Sequence, residues 1–186
     1  MNHPAPQSQL QPSPQTTNSP PRYYAVPPLV QGKVVIGIER FSDMVEDIRP
    51  LHEAHYNETE TEYLDDGFEP NYKSYMDMEQ DGRFVCFTVR IGWQMVAYLQ
   101  YYVFRDCHTQ RVLQGREDAF FVHPLVRGQK IAPQLLAYAE DALKTLGCRY
   151  VGMTSKAPIG APDIGPFLER RGYRPVAVYY TKKLES

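Results

Sequence analysis

The stretch AFFVHPLVRGQKIAPQLLAYAEDALKTLG, residues 119–147, changes its periodicity part-way along and decides the fold. Ala119 to Val122 is an apolar, aromatic run of the kind that packs in a sheet. His123-Pro124 ends it, because proline cannot donate to a strand ladder and restricts the residue before it. From there Ile131, Leu135, Leu136, Ala139, Leu143 and Leu146 recur at three- and four-residue spacings, which is one stripe of an amphipathic helix. Pro133 suits the first turn, where its missing amide costs nothing, and Gly147 suits the end. Arg149 to Met153 then reads as a buried strand. A strand, a helix and a strand in this order make a parallel, right-handed crossover. The turn that opens the helix gathers backbone N–H groups at the positive end of the helix dipole, a ready anion site.

The rest of the chain builds a sheet around this unit. Val34 to Glu39 reads as a first strand, and Ser42 as the N-cap of a helix over roughly 43–56 with a kink at Pro50. Asn71 to Gln80 reads as a short helix and Asp81-Gly82 as a turn. Phe84 to Arg90 and Gln94 to Phe104 are β-branched and aromatic runs on either side of Ile91-Gly92-Trp93, a hairpin signal. With the run that ends in Ala119 to Val122 they make an antiparallel meander. Pro166 to Arg171 reads as a short helix and Val176 to Thr181 (VAVYYT) as the last strand. The expected fold is α/β (α+β): a mixed, mostly antiparallel central sheet of about six or seven strands flanked by about four helices.

Eight of the 16 prolines in this 186-residue chain precede Gln31. They divide it into an arm, residues 1–32, and a body, residues 33–186, of ordinary domain size. Arg22 is the only Lys, Arg, Asp or Glu before Gly32, and the rest of the arm is rich in Pro, Gln and Ser. Such a segment buries too little apolar surface to offset its ordering entropy, so composition reads it as a disordered tail. Tyr23, Tyr24, Val26, Pro27, Pro28, Leu29 and Val30 also offer apolar anchors on a proline-stiffened frame, which suits docking along a protein partner.

A formal charge of −2 excludes the uniform basic field of a general nucleic-acid binder. That total hides an asymmetry. From His52 to Glu79 nine acids face one base, Lys73, whereas from Arg127 onward ten bases face five acids. A basic lobe attracts an anionic cofactor, and an acidic segment attracts a cationic amine. The three cysteines, Cys86, Cys107 and Cys148, are odd in number and never form Cys-x-x-Cys, so no disulfide framework or zinc ribbon is expected. A reducing, cytoplasmic setting fits this usage. With no apolar run near the roughly 20 residues of a bilayer helix and no signal-peptide pattern, no membrane association is expected. His52 and His55 stand three apart, not the four of the metalloprotease helix, and no metal is expected.

The turn Arg127-Gly128-Gln129-Lys130-Ile131-Ala132 resembles the (Gln/Arg)-x-x-Gly-x-(Gly/Ala) turn of the GNAT superfamily of acetyl-coenzyme A dependent N-acetyltransferases. Phe167-Leu168-Glu169-Arg170-Arg171-Gly172-Tyr173 resembles that superfamily's closing Phe-Tyr-Glu-Lys-Leu-Gly-Phe segment, and the resemblance covers about residues 34–184. Tyr75, Asp81-Gly82-Arg83, Asp118 to Pro124 and Leu168 to Tyr173 are also similar to a phage-encoded branch, which would place the protein in a host cytoplasm or a virion. The resemblance implies acetyl-CoA as co-substrate, an amine as acceptor, and the turn 127–132 on the cofactor pyrophosphate, with backbone N–H near Phe121 and Val122 on the thioester carbonyl. Two residues depart from the pattern. Lys130 replaces the central glycine, and either points its ammonium at a phosphate or blocks the site. Leu168 replaces the tyrosine that protonates the departing thiolate, which leaves Tyr179 or Tyr180 as the hydroxyls available for that role.

The reaction needs a base near the middle of the sheet, and Glu117 and Asp118 lie on the approach to the strand that meets the cofactor. Strand alternation turns only one of them toward the cleft. His123, before Pro124 at the strand exit, reads as structural. The expected function is N-acetyl transfer. The competing expectation, from another class, is a catalytically silent GNAT-like interaction protein, virion-associated and docked through its arm.

Overall fold

Six strands pair in chain order to form one sheet. The computed structural model describes residues 25–61, 67–156 and 162–184. The elements are β1 (Leu29–Gln31), β2 (Val34–Ile38), α1 (Phe41–Thr59), α2 (Tyr72–Gln80), β3 (Phe84–Ile91), β4 (Gln94–Asp106), β5 (Thr109–Val122), α3 (Ile131–Thr145), β6 (Cys148–Gly152) and α4 (Gly165–Arg170), with a 3₁₀ turn at Pro124–Val126. Every pairing is antiparallel except β5 with β6, the expected crossover through α3.

The sheet carries an apolar cluster on each face. Leu99, Tyr101 and Val103 of β4 pack against Leu135, Leu136 and Leu143 of α3. The alternate residues Tyr98 and Tyr102 join Phe41, Met44 and Ile48 of α1 and Tyr72 of α2. Covered on both faces, β4 reads as a nearly continuous apolar run rather than an alternating one. Each fully buried aliphatic or aromatic side chain contributes on the order of 1.5–3 kcal/mol. Gly115 lets α3 approach β5 closely, since a β-carbon there would meet Leu143 at 3.4 Å and Tyr101 at 3.3 Å.

Three local expectations change. Ser42 is not a cap: α1 begins at Phe41, whose amide donates to the buried Glu79 carboxylate at the end of α2, 2.9 Å away. The cap thus comes from 38 residues downstream. The helix also runs on through Pro50. β6 is a sheet edge, so Arg149 and Tyr150 are exposed rather than buried. The expected last strand does not pair in this chain. Residues 173–184 have no regular structure, and Val176 and Tyr179 are 94% and 89% exposed.

Leu29–Gln31, grouped with the arm by composition, is an edge strand of the sheet. The Tyr138 hydroxyl donates to Pro27 O (3.0 Å), Gln134 donates to the Gln31 side chain (2.9 Å), and Val26 packs on the α3-side cluster. The arm before residue 25, with Tyr23 and Tyr24, lies outside the described residues.

Candidate active site at the fork of β5 and β6

β5 and β6 pair only as far as Arg116 and Gly152, although β5 continues to Val122. β6 ends at that point, so residues 117–122 of β5 have no strand partner on that edge, and the gap there is called the fork. The polarity of that edge follows from the register. His123 N–H donates to Val96 O toward β4 (2.9 Å). Backbone groups alternate along a strand, so Phe121 also bonds toward β4, where it faces Tyr98, while Phe120 and Val122 face the fork. The Val122 carbonyl there accepts from Arg127 Nε (2.8 Å), and its N–H points the same way.

A β-bulge sets the two carboxylates. Gln100 pairs with Ala119 and Tyr101 with Glu117, so Asp118 is the extra residue. Glu117 lies on the α3 face with Tyr101 and accepts from Thr154 N–H, just past β6, at 3.1 Å. Burial pushes its carboxyl up to about 7, against the pull of the Thr154 hydrogen bonds and the Lys156 ammonium. Asp118 lies on the opposite face and accepts from the Tyr75 hydroxyl (2.8 Å). Burial raises its carboxyl as well, against hydrogen bonds from Tyr102 and Tyr75. Only Glu117 is therefore placed at the fork. Lys156 in turn pairs with Glu60 (2.5 Å) at the end of α1.

Below the fork lies the turn that opens α3. The amides of Arg127 and Gln129 are used by Pro124 O and Val126 O (3.2 and 3.3 Å). Those of Lys130, Ile131 and Ala132 open the helix, where helix geometry supplies no acceptor. Gly128 has φ +82° with open space above it. Lys130 takes φ +63°, the left-handed conformation a glycine adopts without strain, and its side chain is exposed. The Arg127 guanidinium turns back, bonding Val122 O and pairing with Glu58 of α1 (2.7 Å). The Ile131 side chain is core, as is Phe121, which stacks on His55 (ring centroids 5.3 Å apart). Since the Phe121 backbone bonds toward β4, only Val122 and Phe120 present backbone to the fork, and Ile131 presents its amide below it.

Leu168 is buried in the α3-side cluster and offers no proton donor. Tyr179 is not brought to the fork, since it sits on the exposed C-terminal segment. His52 bonds Gln100 (3.0 Å) and His55 bonds the Tyr98 hydroxyl (2.7 Å). Burial lowers the two rings to about 4 and about 3, so both are neutral near pH 7. Among the described residues no three His, Cys, Asp or Glu side chains form a metal site, and no helix is long and apolar enough to cross a membrane.

A forked parallel pair above an open helix start is matched by a family in sequence as well as in shape. The model of the "Acetyltransferase (GNAT) family" matches residues 41–173. The chain belongs to this family. The GNAT fold is also found among solved structures. An aminoglycoside acetyltransferase from an uncultured soil metagenomic sample, in complex with trehalose, superposes with TM-score 0.60 at 14% identity, covering 83% of this chain and 100% of that one. The ribosomal-protein-alanine N-acetyltransferase of Brucella melitensis biovar Abortus 2308 gives 0.58 at 16% identity, covering 80% and 99%. AAC(6')-Iy, in complex with the bisubstrate analogue CoA-S-monomethyl-acetylneamine, gives 0.59 at 15%, covering 81% and 99%. At these identities the likeness is one of fold. A search of curated proteins finds no match to the sequence.

Within the GNAT frame, the bulge at Asp118 and the cap by Glu79 are the features that sequence reasoning missed. The one local signal for the bulge is a pair of adjacent acids in a strand, and the cap carries no local signal at all.

Proposed function

We propose that this protein is an acetyl-CoA-dependent N-acetyltransferase in which a primary amine attacks the thioester directly. The observation that carries this reading is the position of Glu117. It is a partly buried carboxyl held at about 7, beside a strand edge whose Val122 N–H points into the fork. Near neutral pH about half of such carboxylates are free to accept a proton from an incoming ammonium, directly or through a water. Val122 N–H donates to the carbonyl oxygen as negative charge grows there. The amides of Lys130 to Ala132 and the α3 dipole hold the pyrophosphate, with Gly128 giving it close approach. In this reading Lys130 occupies the glycine's backbone conformation and places its ammonium at the phosphates. With Leu168 in the core, solvent protonates the departing thiolate. Asp118, bound by Tyr75, shapes the acceptor side of the bulge.

The test is thiol release from acetyl-CoA with a panel of primary amines, for the wild type and Glu117→Gln. Turnover that the substitution lowers supports the reading, and unchanged turnover in the variant removes Glu117 as the base. The second reading, a silent GNAT-like docking protein, rests on Lys130 and on the loss of the tyrosine at Leu168. In that case acetyl-CoA does not bind at millimolar concentration.

A further inference from the structure

The end of β5 is held at the fork by a side chain from outside the sheet. The Val122–His123 peptide is fixed on both sides: His123 N–H donates to Val96 O toward β4 (2.9 Å), and Val122 O accepts from Arg127 Nε toward the fork (2.8 Å). The same guanidinium lies over the Phe121 ring, 5.5 Å from its centroid, and donates from Nη2 to Glu58 of α1 (2.7 Å). Phe121 in turn stacks on His55 of α1. Arg127 itself stands in the turn that leads into α3, where its N–H is used by Pro124 O (3.2 Å). One side chain therefore joins the end of β5, the end of α1 and the approach to α3.

We propose that Arg127 is a positioning residue for acyl transfer, which fixes the Val122 N–H relative to the open amides at the start of α3, and that Glu58 holds Arg127 in place. The proposal rests on the reading above, in which Val122 N–H meets the thioester carbonyl and those amides meet the pyrophosphate. A donor gripped at both points has a set span between them, and a misplacement of about 1 Å at the reacting carbonyl costs roughly 10²-fold in rate. Guanidinium suits the task because its donors form a rigid planar fork, so the Val122 carbonyl and the Glu58 carboxylate are held at a fixed angle. The flexible ammonium of lysine cannot do this. With its charge taken by Glu58, Arg127 leaves the phosphates to the amides and to Lys130.

The test is steady-state kinetics with acetyl-CoA and a panel of primary amines for the wild type, Arg127→Gln, Arg127→Lys, Glu58→Ala and the Arg127→Gln, Glu58→Ala pair, with a urea midpoint for each. Arg127→Gln should lower kcat about 10–100-fold while KM for acetyl-CoA stays within about threefold. Arg127→Lys should stay within about threefold of Arg127→Gln. Glu58→Ala should lower kcat about 3–10-fold alone and add nothing to Arg127→Gln, since the two act as one unit. A raised KM with kcat unchanged would make Arg127 a phosphate ligand. That result, full recovery in Arg127→Lys, additive losses in the pair, or a fall in kcat no larger than the loss of folded protein each overturns the assignment. A wild type that turns over no amine of the panel brings down the acetyltransferase reading and the positioning role with it, which no Arg127 variant can do.

Discussion

Glu117 combines two properties that separate in a measurement. As the proposed base it must be ionised, so turnover should rise with pH through about 7 and level off above it. Glu117→Gln keeps an acceptor for Thr154 N–H but removes the base, and should lower kcat about 10²–10⁴-fold with little change in KM for acetyl-CoA. Burial makes the same carboxylate a liability to the fold. Its folded pKa lies above its unfolded value near 4.5, so it weakens stability as pH rises from about 4.5 to 7. Thermal melts should therefore show Glu117→Gln gaining more relative to the wild type at pH 8 than at pH 5. Lys130 offers a second residue-scale test. Glycine relieves the left-handed strain, and Lys130→Gly should stabilise the chain by up to about 1 kcal/mol in urea titration. The same variant should bind acetyl-CoA more weakly if the ammonium meets phosphate, whereas tighter binding would mean that the lysine obstructs the site.

Among the elements, α1 depends on a partner far away in sequence. Glu79 accepts from Phe41 N–H inside the core. Glu79→Ala should cost about 1–3 kcal/mol, read as a shift in urea midpoint, and Glu79→Gln should recover part of it because it still accepts. This bond shows where the sequence was readable. The stripe from Ile131 to Leu146, the hairpin at Gly92 and the crossover are short-range patterns, and each element stands where its periodicity placed it. Ser42 satisfied the local rule for a cap and lost to a carboxylate that the rule does not cover. The bulge was hidden because Glu117 and Asp118 look alike in sequence, although the extra residue sends one to Thr154 and the other to Tyr75. VAVYYT has the composition of a strand, but composition does not supply the ladder partner a strand needs, and residues 176–181 have no regular structure.

For the whole molecule, the asymmetry of charge becomes a division of labour around the fork. Lys130 and the open amides of α3 lie below it, while Arg127 and Lys156 tie its walls to Glu58 and Glu60 of the α1 end, and Glu117 and Asp118 occupy opposite faces of β5. The chain has the GNAT fold and belongs to the GNAT family, and we propose that it takes acetyl-CoA as acyl donor, held by the start of α3. Isothermal titration of the full chain with acetyl-CoA tests this most directly. The account predicts saturable heat at one ligand per chain with a Kd in the micromolar range. Absence of any binding heat at millimolar acetyl-CoA, from a chain that is folded by circular dichroism, would contradict it.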